Sequence, residues 1–228
     1  IKRSQVGILY KNMDNMTMES AKINDSRVWI AVAVAAVLWF VMFSPWTAPM
    51  VNFWYAMTAS AVILVTLSTC FCRQWLADIR PTASQLALGL VIALVLWCVF
   101  WVGDKVSQLL FSFARPQVDM IYGMKSGTAS ALIGVLLLLV IGPAEEIFWR
   151  GYVQRRLSQR WNVNVGFVVT LALYTLIHVW SFNFMLLMAA LVVGAFWGLL
   201  YRLRPQWLTA LVISHAVWDA CAFVFFPF

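Results

Sequence analysis

Residues 129–150 read ASALIGVLLLLVIGPAEEIFWR, an apolar run that closes on two adjacent glutamates and an arginine. A helix through this stretch would be apolar on every side and near the roughly 20 residues needed to cross the hydrocarbon of a bilayer. Working outward, similar runs occupy about 28–48, 51–72, 86–102, 163–181, 183–201 and 206–226, which with 129–149 makes seven. Helices are the expected form, because an isolated strand in lipid leaves its backbone unpaired. The composition agrees. Of 228 residues, 63% are hydrophobic and only 11% charged, with a mean hydropathy of +0.84. A soluble domain is about half apolar and a quarter charged. The chain is more apolar than one soluble core can bury, which excludes a soluble globular enzyme, a disordered tail and a nucleic-acid-binding domain. The expected fold is all-α: a polytopic membrane helix bundle of about seven transmembrane helices. Thirteen tryptophans suit it, since Trp favours the headgroup level.

The net charge of +7 reads as basic loops held on one membrane face. Alternate loops carry Lys2, Arg3, Lys11, Lys22 and Arg27, then Arg73 and Arg80, then Arg150, Arg155, Arg156 and Arg160, then Arg202 and Arg204. The other face carries only Lys105, Arg115 and Lys125, a division of thirteen to three. It predicts a cytoplasmic N-terminus and an external C-terminus. The expected organisation is a polar cytoplasmic segment over 1–27, a scaffold of three spans and a long connection over 28–128, and a catalytic core of four spans over 129–228. That connection covers about 103–128, and the third span is expected to extend as an amphipathic stretch through Val106–Phe113. No cleavable signal peptide is expected, because residues 1–27 are polar and the first apolar run is long and lacks a small-residue cleavage site. Met13, Met16 and Met18 all precede the first span. Cys70, Cys72, Cys98 and Cys221 read as small apolar side chains.

Ionisable residues within a span are costly and mark function. They are Glu145, Glu146, His178, His215 and Asp219, with Arg150 at a boundary, all in the last four spans. The first three spans carry none in this reading. Glu146 and Arg150 stand at i and i+4 and can pair, leaving Glu145 to face a cavity. Pro143, just before the two glutamates, loosens the helix there. If the helix runs on to about Arg160 and turns at Trp161–Asn162, Glu145 and His178 fall at similar depth on neighbouring helices. His215 and Asp219, again at i and i+4, share a face, so Asp219 is placed to orient the imidazole. A desolvated carboxylate can act as a general base toward water, and histidines can donate to an oxyanion. The alternative chemistry is a zinc ion with an open position, with Glu145, His178 and His215 as candidate ligands. Gly194 and Gly198 form a GxxxG spacing expected to allow close helix packing.

Glu145-Glu146-x-x-x-Arg150, then Tyr174-x-x-x-His178, then His215-x-x-x-Asp219, over about residues 129–220, resembles the CPBP family, the Abi or CAAX prenyl protease type II-like intramembrane proteases. The resemblance implies an endopeptidase cutting in or near the membrane. Glu145 would activate water with help from His178, His215 and Asp219 would stabilise the oxyanion, and Glu146 and Arg150 would hold the site together. Family members have been described both as metalloproteases and as glutamic proteases, and the metal-independent type is the expectation here. Two positions depart from the pattern. Well-studied members have Asn where this chain has Asp219, and an ionised Asp cannot donate to an oxyanion. Asp219 must then be protonated, orient His215 or bind metal. Tyr174 stands where Phe is common.

The expected substrates are lipidated or tail-anchored membrane-associated proteins, the tails or anchors of exported proteins among them, and the expected location is a bacterial or archaeal inner membrane. The bilayer itself is an expected partner and nucleic acid is not. The leading alternative is a non-catalytic protein of bacteriocin self-immunity. A proton-coupled carrier fits less well, because no inverted repeat is visible.

Overall fold

The computed structural model describes residues 26–228, so Lys2, Arg3, Lys11, Lys22 and the early methionines lie outside the described residues. Among the described residues, seven helices are long and apolar enough to cross a membrane. In chain order with two short helices, they are α1 (Ser26–Phe43), α2 (Phe53–Phe71), α3 (Gln74–Asp78), α4 (Ala83–Leu110), α5 (Ala114–Gly123), α6 (Ser130–Arg160), α7 (Val163–Ser181), α8 (Phe184–Leu203) and α9 (Pro205–Phe225). α3 and α5 are too short to cross. The described residues form an all-helical integral membrane protein with seven candidate spans.

Local sequence sets the helix starts. Asn52, Thr82, Asn162 and Asn183 each accept backbone N–H groups of the first turn they precede, which satisfies donors a helix cannot bond internally. The hairpin expected at Trp161–Asn162 is present, and Phe182, in a left-handed conformation with φ 47°, turns α7 into α8.

The extension of the third span expected through Val106–Phe113 is present as helix as far as Leu110, with α4 unbroken from Ala83. Asp104 and Lys105 therefore belong to a helix, and the expectation that the first three spans carry no ionisable residue is corrected. Apolarity falls at Gly103 while helix-forming residues continue, so the helix outlasts the hydrophobic run. The rest of the long connection folds as α5, with Pro116 in its first turn, where a missing N–H costs nothing.

Packing places the centre. The apolar window of α6 is 56% buried and that of α9 is 61%, against 22–33% for the other five spans. α9 packs along α4 on one side and the middle of α6 on the other, while α7 packs against α8 and the second half of α6. Lipid offers no hydrophobic drive between helices, so small residues and close backbones matter. A Cβ on Gly142 would lie 2.6 Å from Ala216 Cα and 2.8 Å from Ala216 N. Gly142→Ala is expected to force α6 and α9 apart and to cost about 1–3 kcal/mol, read as a lower midpoint of thermal unfolding in detergent.

α6 is not a uniform α-helix. π-helical turns at Leu137–Ile141 and Ile147–Gln154 bracket the α-helical stretch Gly142–Glu146. Such wide turns recur at functional sites. The first of them precedes Pro143, whose ring would clash with the carbonyl four residues back in a regular helix.

Candidate active site

The six residues expected to act converge on α6, α7 and α9. Glu146 is fully buried and Arg150 is 1% exposed. Arg150 Nη1 donates to Glu146 Oε1 at 2.7 Å, and His215 Nδ1 lies 2.9 Å from the same oxygen. Arg150 Nη2 donates to the Gly194 carbonyl at 3.1 Å, and one turn on, Gln154 Nε2 donates to the Gly198 carbonyl at 2.8 Å. The GxxxG spacing thus packs inside the bundle. A Cβ at Gly194 would meet Leu171 at 2.9 Å and Tyr174 at 3.0 Å.

Glu146, rather than Asp219, holds the His215 ring. Asp219 Oδ2 stands 3.5 Å from His215 Nε2, too long for a good hydrogen bond. Against Glu146, His215 Nδ1 is the donor, so Nε2 is the nitrogen turned to Asp219. Trp197 stacks on the imidazole at a centroid distance of 3.9 Å and is itself fixed by donating to Ser214 Oγ at 3.0 Å.

Glu145 faces the other way, as its pairing pattern implied. Its Oε2 accepts from the Tyr174 hydroxyl at 3.2 Å, and its other oxygen has no hydrogen-bond donor among the described residues. Tyr174 therefore does something a phenylalanine there would not do. His178, one turn later, shares the site wall, but both of its ring nitrogens are engaged. Trp39 Nε1 donates to Nε2 at 3.0 Å, and Nδ1 lies 2.8 Å from the Tyr174 carbonyl. A carbonyl only accepts, so Nδ1 carries the proton. Trp39 comes from α1, so that span is more than scaffold. Trp39→Phe keeps an aromatic ring but deletes this donor. It is expected to cost about 0.5–1.5 kcal/mol, measurable by thermal unfolding in detergent.

Glu145, Tyr174, His178, His215 and Asp219 all line one cavity of about 380 Å³. Its remaining walls are mainly apolar, and α5 covers it through Val118, Ile121 and Tyr122. A few convergent polar groups in an apolar hollow are the usual form of a ligand site. The Tyr122 hydroxyl donates to the Ala222 carbonyl at 3.0 Å, and burial pushes its pKa above the usual tyrosine value, which keeps it a donor. Asn183 Nδ2 donates to the Gln117 carbonyl at 2.8 Å, tying α5 to the start of α8.

Sequence reasoning missed three contributors. Asp104 lines the same cavity, whereas the sequence reading sets it in the long connection. The signal was there, since Phe100 and Asp104 stand at i and i+4 on one helical face. The Tyr174 hydroxyl was noted only as a departure from phenylalanine. Trp39 carried no signal among thirteen tryptophans.

The zinc alternative can be tested on the donor set. Among the described residues, no three His, Cys, Asp or Glu groups are placed to hold a metal ion. Of the candidate ligands, His178 spends Nε2 on Trp39 and Glu145 spends Oε2 on Tyr174. As arranged, these residues do not fit a zinc ion.

Residues 127–221 match the family model described as type II CAAX prenyl endopeptidase Rce1-like. The segment belongs to that family. Neither a curated protein nor a solved structure matches the chain. The Rce1-like segment carries Glu145, Glu146, Arg150, Tyr174, His178, His215 and Asp219. Trp39 and Asp104 lie outside it. The description is that of a family of CAAX prenyl endopeptidases, and the match is confined to this segment.

Proposed function

We propose that the protein is an intramembrane endopeptidase of the glutamic type, with Glu145 as the base that activates water. The observation that carries this is the division of labour between the two glutamates. Arg150 and His215 both bond Glu146 Oε1, and Glu146 does not line the cavity, while Glu145, with one oxygen that has no donor among the described residues, lines it together with the two histidines and Asp219. Glu145 takes a proton from water as the oxygen attacks the scissile carbonyl. His178, released from Trp39 by the entering water, accepts that water's second hydrogen bond through Nε2. His215, protonated on both nitrogens, donates Nε2–H to the oxyanion, with its charge balanced by Glu146 and Asp219. Asp219 thus supports the imidazolium instead of donating as Asn would. As the intermediate collapses, the proton on Glu145 passes to the leaving amine. The products are a new carboxyl terminus and a new amine.

Lys and Arg placement supports a cytoplasmic N-terminus. Arg150 leaves the tally because it is buried in the site, which makes the division twelve to three. The cavity then opens beneath the external loops, where α5 lies. That supports substrates exported through a bacterial or archaeal membrane, with C-terminal tails or anchors removed at its outer side.

The test is cleavage in native membranes of a panel of tail-anchored and prenylated peptides, comparing wild type with Glu145→Gln, each with and without a strong zinc chelator. Cleavage that Glu145→Gln abolishes and the chelator spares is the expected result. Equal cleavage by Glu145→Gln overturns the mechanism. Loss of cleavage with the chelator overturns its metal-independent form. A wild type that cuts none of the panel yet protects cells from a bacteriocin, as Glu145→Gln also does, replaces the protease with an immunity protein.

A further inference from the structure

Among the described residues, Asp104 is a buried carboxylate that the mechanism leaves unused. Its side chain is 6% exposed and lines the site cavity. The two carboxylate oxygens differ. Oδ2 accepts from Gln108 Nε2 at 2.6 Å and pairs with Lys105 Nζ at 3.1 Å. Oδ1 is buried and has no hydrogen-bond partner among the described residues. A buried carboxylate oxygen without a donor is costly, and each such group in a folded protein calls for a physical reason. The neighbouring cations do not supply one. Lys105 is engaged with Oδ2, and Arg115 is paired with Asp119 at 2.7 Å and donates to the Phe228 carbonyl at 3.2 Å.

Placement indicates the kind of group that would suit Asp104. Asp104 stands six residues before the end of α4, which is about 9 Å along the axis at 1.5 Å per residue. It therefore lies near the membrane boundary. α5 lies over this part of the cavity, with Tyr122 in the same wall. The catalytic groups come instead from the middle of α6 and α9. The cavity is thus polar in two places with apolar wall between, through residues such as Phe100, Trp218 and Val193. That pattern matches a peptide whose apolar side chains fill the middle and whose donor reaches Asp104. A charged donor suits a carboxylate oxygen best, because charge-assisted hydrogen bonds are roughly twice as strong as neutral ones.

We propose that Asp104 is a specificity-determining subsite that takes the ammonium or guanidinium group of a basic residue flanking the apolar stretch of the substrate. The proposal rests on the reading of this cavity as a peptide site. It does not require that the peptide be cut.

The experiment separates those two points. Full-length Glu145→Gln protein is placed in nanodiscs of neutral phosphatidylcholine. Dye-labelled apolar peptides, capped at both ends, carry one lysine or arginine at either end, or norleucine instead. A further uncapped norleucine peptide tests a terminal amine as the source of the charge. Affinity is read by fluorescence anisotropy. One of the basic peptides is expected to bind about tenfold or more tighter than its norleucine counterpart, the range typical of a hydrogen bond to a charged group. Asp104→Asn is expected to bring the two within about twofold, and Asp104→Glu to retain most of the preference.

A lysine preference that survives Asp104→Asn overturns the proposal. So does its absence in protein that keeps Asp104, a result that stands even if Asp104→Asn fails to fold. So does tight binding confined to the uncapped norleucine peptide. Cleavage of the same peptides by the Glu145 protein is scored separately. Preference without cleavage sinks the protease and leaves the subsite. Cleavage without preference sinks the subsite alone.

Discussion

Glu145→Gln is expected to lower peptide cleavage by about 10²–10⁴-fold, the range for removing a general base, while the protein still folds. The amide preserves the shape of the carboxylate and can still accept the Tyr174 hydrogen bond through its carbonyl oxygen. Only the ability to take a proton from water is lost. Glu145 is not part of the Arg150 ion pair, so the packing of α6 against α8 and α9 should not notice the change. The measurement is an initial rate against protein concentration, with thermal unfolding in detergent as the control for folding. A rate within about tenfold of wild type, in folded protein, would assign the base to another group.

Arg150→Met is expected to act on stability instead. Arg150 and Glu146 are almost wholly enclosed. Removing one partner of a buried pair leaves an uncompensated charge, which costs about 3–5 kcal/mol. The Gly194 carbonyl would lose its donor as well. The variant should unfold well below wild type or fail to accumulate in the membrane. The double variant Glu146→Gln with Arg150→Met should recover much of that loss, because replacing both charges removes the penalty of either alone. It should not recover activity, because His215 then loses the carboxylate that fixes its Nδ1. Recovery of stability without activity would separate the two duties of Glu146. If Arg150→Met unfolds like wild type, the pair is not what holds these helices together.

The bundle was legible because its cause is periodic and long-range in composition. Apolar runs of membrane length announce themselves whatever they pack against, and all seven appear. The site was legible for a related reason. Glu145, Glu146, His178, His215 and Asp219 are each expensive in lipid, so each stood out against its own span. What escaped notice was whatever depends on partners far along the chain. Trp39 and His178 are 139 residues apart and neither sequence neighbourhood hints at the other. Asp104 was hidden by the boundary itself, since hydropathy cannot tell where a helix stops once the apolar run is over. The two π-helical stretches of α6 leave no spacing signal that a regular helix would not also produce.

The seam between α6 and α8 has an evolutionary side. Arg150 and Gln154 donate to carbonyls that every amino acid carries. Gly194 is held to glycine by the room left beside Leu171 and Tyr174, not by the identity of its donor. A change at Arg150 therefore has no matching change at 194 that would answer it. Across descendants of such a chain, this contact should be among the firmest in the bundle and yet leave no trace of correlated substitution, so that methods inferring contacts from paired drift would pass over it.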